Sequence, residues 1–188
     1  MNKKRIVLFS IGICILLFIF RVYIVNRNFP QKDFIQAVNI NEEVNCDDVN
    51  IKILNSQIES IDPDGFPIAS ISYSIENKTN KDIDLSEIYN KLSLYSNYDK
   101  ADIQNINLGF DNSQFKNTYN QDELVLKPRQ NKIFHFNYYL LKDTEKYNNF
   151  VYIDNSLYSN DFNQYLNDGT LLYKIINLGN IYEQSDSN

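Results

Sequence analysis

The sequence predicts an all-β fold, an antiparallel β-sandwich, preceded by one N-terminal transmembrane helix. Three observations predict it: an apolar run from Ile6 to Val25 interrupted only by Ser10, Gly12 and Arg21, a series of short segments in which apolar and polar residues alternate, and Pro-, Gly- and Asn-rich breaks between them. The 188 residues suffice for one domain of common size plus short extras. Hydrophobic residues make up 43% of the chain, too many for a disordered protein.

The N-terminal run reads IVLFSIGICILLFIF from Ile6 to Phe20, and after Arg21 it resumes with Val22, Tyr23, Ile24 and Val25. At about 1.5 Å per residue this stretch spans roughly 30 Å, one hydrocarbon core. Arg21 lies near one end, where its long stem can carry the guanidinium to the headgroups. A cleaved signal peptide and an uncleaved signal anchor compete for this segment. The following RVYIVNRNFPQ offers no small-residue cleavage pattern, and Ile13 precedes Cys14 where a lipoprotein signal needs a small residue, so the anchor is expected. Lys3, Lys4 and Arg5 hold the N-terminus in the cytoplasm by the positive-inside rule. The expected layout is a cytoplasmic tip at 1–5, a transmembrane signal anchor at 6–25, a stalk at 26–48, a β-sandwich at 49–180 and a disordered tail at 181–188. The protein would sit in the cell membrane as a single-pass chain with its C-terminal domain extracellular.

Residues 26–48 are polar, broken by Pro30, and without a sustained period, which reads as a plain spacer. From Val49 the pattern turns strand-like. VNIKILNSQIESI and IASISYSIEN flank Asp62-Pro63-Asp64-Gly65, whose Pro fixes one φ and whose Gly supplies a positive one, so a β-hairpin is expected. Leu92 and Leu94 mark a further strand after a short irregular piece. Ile103, Ile106 and Leu108 alternate less cleanly before a polar loop from Asp111 to Asp122. In LVLKPRQNKIFHFNYYLL a turn around Pro128 separates two runs; Phe134, Phe136, Tyr138 and Leu140 should face one side, and Ile133, His135, Asn137 and Tyr139 the other. FVYID makes a short strand, and TLLYKIINL reads as a final strand or a helical turn, strand being favoured. Short strands joined by turn chemistry argue a sandwich.

Three of these pieces resemble the immunoglobulin-like domains of unknown function found on Gram-positive surface proteins and lipoproteins, similar to the mycobacterial immunoprotective extracellular antigen sandwich. They are the hairpin ending in Asn77-Lys78-Thr79-Asn80-Lys81, the strand NKLSLYS, and LVLKPRQNKIFHFNYYLLKDTEKY with the short strand after it. Arg129 stands where that family usually has Gly, and the Asn- and Tyr-rich stretch after Asp154 has no counterpart in it. The resemblance implies an immunoglobulin-like, non-enzymatic sandwich outside the cell.

Chemistry-bearing constellations are sparse. The net charge is −6, and the apolar run with its flank holds four of the eighteen basic residues and none of the twenty-four acidic ones, so the remainder carries −10. So acidic a domain repels phosphate backbones and anionic lipids, which argues against nucleic acid as a partner and against lying flat on a membrane. His135 is the only histidine and has no nucleophile motif around it, so no catalytic residue is assigned. Asp62 and Asp64, with Asp47 and Asp48 upstream, lack the later ligands of a calcium loop; no metal or cofactor is expected. Asn77-Lys78-Thr79 fits a glycosylation acceptor but reads more simply as a turn. Cys14 lies in the apolar run and Cys46 is alone in the rest, so the soluble part has no disulfide and an odd exposed thiol.

Tyrosines, among them Tyr95, Tyr98, Tyr119, Tyr147, Tyr152 and Tyr173, crowd the second half, often beside Asn. Tyr supplies large amphipathic contact area at low entropic cost. A binding surface is expected around Asn137, Tyr139, Tyr158 and Tyr165. The AT-rich residue usage (Asn, Lys, Ile, Tyr) points to a low-GC Gram-positive bacterium. The function expected is a membrane-anchored, extracytoplasmic, non-enzymatic protein-binding module whose partner is an envelope or membrane protein. The alternative is an accessory subunit that associates through its transmembrane helix; a cell-wall hydrolase is disfavoured for want of a carboxylate pair or metal set.

Overall fold

The computed structural model describes residues 3–27, 29–30, 32–99, 102–104, 124–140 and 148–181, with side chains at 12–26, 29–30, 32–95, 124–140 and 148–181. Ile106, Leu108, the polar loop from Asp111 to Asp122, Tyr119, Tyr147, the Tyr98 side chain and the tail from 182 lie outside the described residues. Among the described residues a helix α1 (Lys3–Arg27) precedes eleven strands. Among the described residues, whose side chains in α1 begin at Gly12, no helix is long and apolar enough to cross a membrane.

Sequence alternation builds the sandwich. β3 (Val49–Ile61) and β4 (Pro67–Asn77) form the expected antiparallel hairpin, and β4 pairs on its other side with β9 (Asn131–Tyr139). In β4, in β9 and in β3 as far as Ile53, inward-pointing residues alternate with outward ones: Ile51, Ile53, Ile71, Tyr73, Ile75, Phe134 and Phe136 are fully buried. Burying each such side chain contributes about 1.5–3 kcal/mol. His135 and Ile133, on the opposite face of β9, are exposed, as the alternation required. The hairpin turn closes through Gly65 N–H to the Asp62 carbonyl at 3.0 Å, with Gly65 at φ 82°.

The second sheet has five strands in the order β1 (Lys32–Asn39), β11 (Thr170–Gly179), β10 (Asn148–Ile153), β6 (Leu92–Asp99), β7 (Asp102–Gln104). TLLYKIINL is therefore a strand. Its inward residues Leu172, Ile176 and Leu178 join Leu92, Leu94, Val151 and Ile153 in one core with the first sheet. β2 (Glu43–Asn45) completes the four-stranded sheet on the outer side of β3, and a small ladder joins β5 (Ile83–Asp84) to β8 (Val125–Leu126). Helix α2 (Leu85–Tyr89) connects β5 to β6, its N-terminus capped by the Asp84 carboxylate accepting from Ser86 N–H at 2.8 Å.

Two expectations are corrected, and a stretch for which the sequence carried no structural expectation folds into a helix. The stretch expected as a stalk contains β1 and β2. β1 runs parallel to β11 as an edge strand and leaves only Val38 half-buried against the core, so backbone pairing holds it and no period of two was written into its side chains. Cys46 is not exposed: it is 3% accessible and belongs to the core, where burial pushes its thiol up to about 12. The Asn-rich stretch after Asp154 folds into a 3-10 turn (Asn155–Tyr158) and a helix α3 (Ser159–Asn167) packed against β11. The helical signal was present in Phe162, Tyr165 and Leu166, spaced i, i+3, i+4.

Candidate functional site

Strand alternation also determines what the five-stranded sheet shows on its outer face. With Leu94, Val151, Ile153, Leu172 and Ile176 turned inward, Tyr95 on β6, Phe150 and Tyr152 on β10, Tyr173 and Ile175 on β11, and Asp33 and Ile35 on β1 line a groove of about 460 Å³. Register brings them together, because Tyr95 stands opposite Phe150, Tyr152 opposite Ile175, and Ile35 beside Tyr173.

The rings form a connected ladder. Tyr95 and Phe150 stack with centroids 5.6 Å apart and planes at 9°. Tyr152 meets the edge of Tyr95 at 6.0 Å and tilts toward Tyr173 at 6.5 Å. Burial, and next the nearby Asp154 carboxylate, raise the Tyr152 pKa, which keeps this phenol a neutral donor under ordinary conditions. The arrangement offers apolar area, phenol hydroxyls and one carboxylate, Asp33. Among the described lining residues there is no nucleophile–base pair, and among all described residues no group of three or more His, Cys, Asp or Glu could hold a metal ion.

The four residues expected to form one surface occupy three places. Asn137 and Tyr139 are half-buried on the outward face of β9, in the other sheet. Tyr158 is fully buried, its hydroxyl donating to the Leu172 carbonyl at 3.2 Å and accepting from Lys174 N–H at 3.3 Å. Burial pushes its phenol upward. Tyr165 lies on α3, stacked on Phe34 of β1 at 5.4 Å and 7°. The groove tyrosines were legible by the same alternation that placed the core: Tyr173 falls between Leu172 and Lys174, and Tyr152 between Val151 and Ile153.

The other sequence candidates serve turns and pairings. Asp62 Oδ1 accepts from Asp64 N–H at 3.0 Å and Phe66 N–H at 2.7 Å, an Asx cap of the hairpin. Asn77 is fully buried. Its amide donates to the carbonyls of Lys81 at 2.7 Å and Leu126 at 3.0 Å, and its oxygen accepts from Thr79 N–H at 2.8 Å. An amide held this way structures the turn and is closed to a modifying enzyme. His135 Nδ1 lies 2.9 Å from Ser72 Oγ, its cross-strand partner on an exposed sheet face.

Sequence reasoning missed Lys174 altogether. It occupies an inward position of β11, 2% accessible, with its ammonium 4.9 Å from the Tyr158 ring centroid. The alternation Leu172, Lys174, Ile176 was the available signal.

No protein-family model matches the chain, and neither does a curated protein. Among solved structures it is similar to the crystal structure of an uncharacterized β-sandwich protein from Clostridium difficile 630, at 12% identity and a TM-score of 0.44, over 78% of this chain and 96% of that one. By its own two packed sheets, this chain is a β-sandwich protein.

Proposed function

We propose that this chain is a single-pass, membrane-anchored protein of a low-GC Gram-positive envelope, whose immunoglobulin-like sandwich is a non-enzymatic module that binds another protein outside the cytoplasm. The observation that carries the binding role is the aromatic groove on the outer face of the five-stranded sheet. Tyr and Phe bury large areas at small entropic cost, and clusters of them are where binding energy concentrates in protein interfaces. The ring faces of Tyr95 and Phe150 are turned on each other, which leaves edges and hydroxyls for an approaching partner and suits a peptide surface better than a flat sugar face.

The anchor is supported by the helix itself. The apolar side chains of α1 from Ile13 to Val25 that stand bare are 41 to 69% accessible on all sides of the helix, a surface that water does not tolerate but lipid does. A strand order in which β11, β10, β6 and β7 form one sheet and β3, β4 and β9 the other supports the immunoglobulin-like reading.

The test is affinity capture from intact cells with the full-length chain tagged at its C-terminus, beside a form whose first 25 residues are replaced by an unrelated anchor. Recovery of one envelope protein by both, lost on Tyr152→Ala or Tyr173→Ala, is the expected result. Recovery by the native anchor alone would transfer the partnership to α1 and make the chain an accessory subunit. Gly12 favours that second reading, since a Cβ added there meets nothing within 4 Å and the bare backbone at that position lets a packing helix approach closely. In that case Gly12→Leu abolishes capture, whereas the preferred reading leaves it intact.

A further inference from the structure

α1 ends at Arg27 and β1 begins at Lys32, so only residues 28–31 separate the helix from the first strand of the sandwich. Five Cα–Cα steps, even fully extended, span no more than about 18 Å. This leaves no room for a stalk. The strands start at one common end: β1 and β11 run parallel, and the start of β3 is tied there by Asp47 N–H donating to the Leu157 carbonyl at 2.7 Å. That end carries exposed aromatic surface. Phe29 is 68% accessible, Phe34 is 45% accessible, and Tyr165 stacks on Phe34 from α3.

We propose that this end of the sandwich rests in the lipid interface, with Phe29, Phe34 and Tyr165 inserted at headgroup level. The inference depends on the anchor reading above. Aromatic rings are favoured at the water–hydrocarbon boundary, and Tyr adds a hydroxyl that stays hydrated there. The occupant of the patch is a bilayer because the short connection holds the patch within headgroup distance of the place where α1 leaves the hydrocarbon. Asp161 and Asp168 lie on and just beyond α3 at the same end and repel anionic lipid, so the favoured surface is zwitterionic. The chain contacts the membrane by one rim and leaves both sheet faces standing clear of it.

The chain contains no Trp, so one introduced Trp is an unambiguous reporter. Full-length Phe34→Trp and, as a control, Ile61→Trp at the far end of the β3–β4 hairpin are reconstituted in phosphatidylcholine vesicles containing a brominated, quenching lipid. Ile61 is exposed, and the length of β3 puts it roughly 40 Å from the start of that strand. The expected result is several-fold stronger quenching at position 34 than at position 61, reproduced by Tyr165→Trp if Phe34→Trp folds poorly. Equal quenching at the two ends, in protein that co-floats with the vesicles, overturns the proposal while leaving the anchor in place. A blue shift at position 34 that grows with protein concentration without quenching overturns it in favour of a second copy on the patch. Failure to co-float removes the anchor reading and this inference together.

Discussion

Lys174 Nζ donates to Asp161 Oδ2 at 2.7 Å and to the Asn45 carbonyl at 2.6 Å, so one buried ammonium ties β11 to α3 and to the end of β2. The lysine side chain is 3% accessible and the aspartate 52%, which makes the pair asymmetric. Asp161→Asn leaves a charge buried without its counter-ion and should lower unfolding free energy by about 2–4 kcal/mol. Lys174→Met keeps the packed stem and returns Asp161 to water, at a cost of about 1 kcal/mol. Urea titrations of the two variants check the order, and a Lys174→Met protein less stable than Asp161→Asn would sink the argument.

A second buried polar contact joins the two hydroxyls of Tyr73 and Tyr138, 2.9 Å apart across β4 and β9. Tyr73→Phe strands the Tyr138 hydroxyl and should cost about 1–2 kcal/mol, while the double Phe variant, with nothing left to satisfy, should lie within about 1 kcal/mol of the parent. A double-mutant cycle in denaturant reads this directly; additive losses would show that the hydroxyls do not depend on each other.

The same pair governs alkaline stability. Desolvation is the largest cause raising both phenols above their ordinary value of 10.0. The folded state therefore keeps protons that the unfolded chain releases, so the contribution is fully present below pH 10 and is lost as pH rises beyond it. Each tyrosine adds up to about 1.4 kcal/mol per pH unit to that decline. Thermal midpoints measured upward from pH 9 should fall steeply above pH 10, and the double Phe variant should fall less. Identical slopes in the two proteins would contradict the assignment.

How much of this was legible in the sequence depends on what holds each piece in place. Ile71, Tyr73, Ile75, Phe134 and Phe136 announced their strands because burial on one face imposes a period of two. β1 gave no such sign, since its parallel pairing with β11 is a backbone matter and seven of its eight residues are exposed. The candidate groove follows the same rule: the sorting of tyrosines into core (Tyr73, Tyr138, Tyr158) and outer face (Tyr95, Tyr152, Tyr173) depends on which inward neighbours each strand has, and choosing tyrosines by their Asn neighbours ignored that.

Cys46 is the remaining test of the core at its weakest-looking corner, beside the short β2. A thiol 3% accessible and pushed up to about 12 is neither reachable nor ionised at pH 8. In detergent-solubilised Cys14→Ser protein, a maleimide or disulfide reagent should modify Cys46 only at the rate of opening, with the rate rising in step with denaturant. Prompt stoichiometric labelling of the folded protein would show that β2 does not cover it.

The turn between β8 and β9 makes the last prediction, and it joins sequence to structure most directly. Arg129 follows Pro128 and adopts φ 61°, the position at which a type II turn asks for Gly. The turn is otherwise well made, with Gln130 N–H donating to the Lys127 carbonyl at 3.1 Å and the Gln130 side-chain oxygen accepting from Lys127 N–H at 3.0 Å. A side chain in the left-handed region costs about 1–2 kcal/mol, partly offset in a Gly variant by the greater freedom of its unfolded chain. Arg129 recovers little through its guanidinium, whose contact to Asn80 Oδ1 is 3.4 Å and exposed. Arg129→Gly should therefore stabilise the sandwich by about 0.5–1 kcal/mol, while Arg129→Ala, which keeps the strain, should not. Equal midpoints for the Gly and Ala variants in urea would mean that this backbone position carries no strain to relieve.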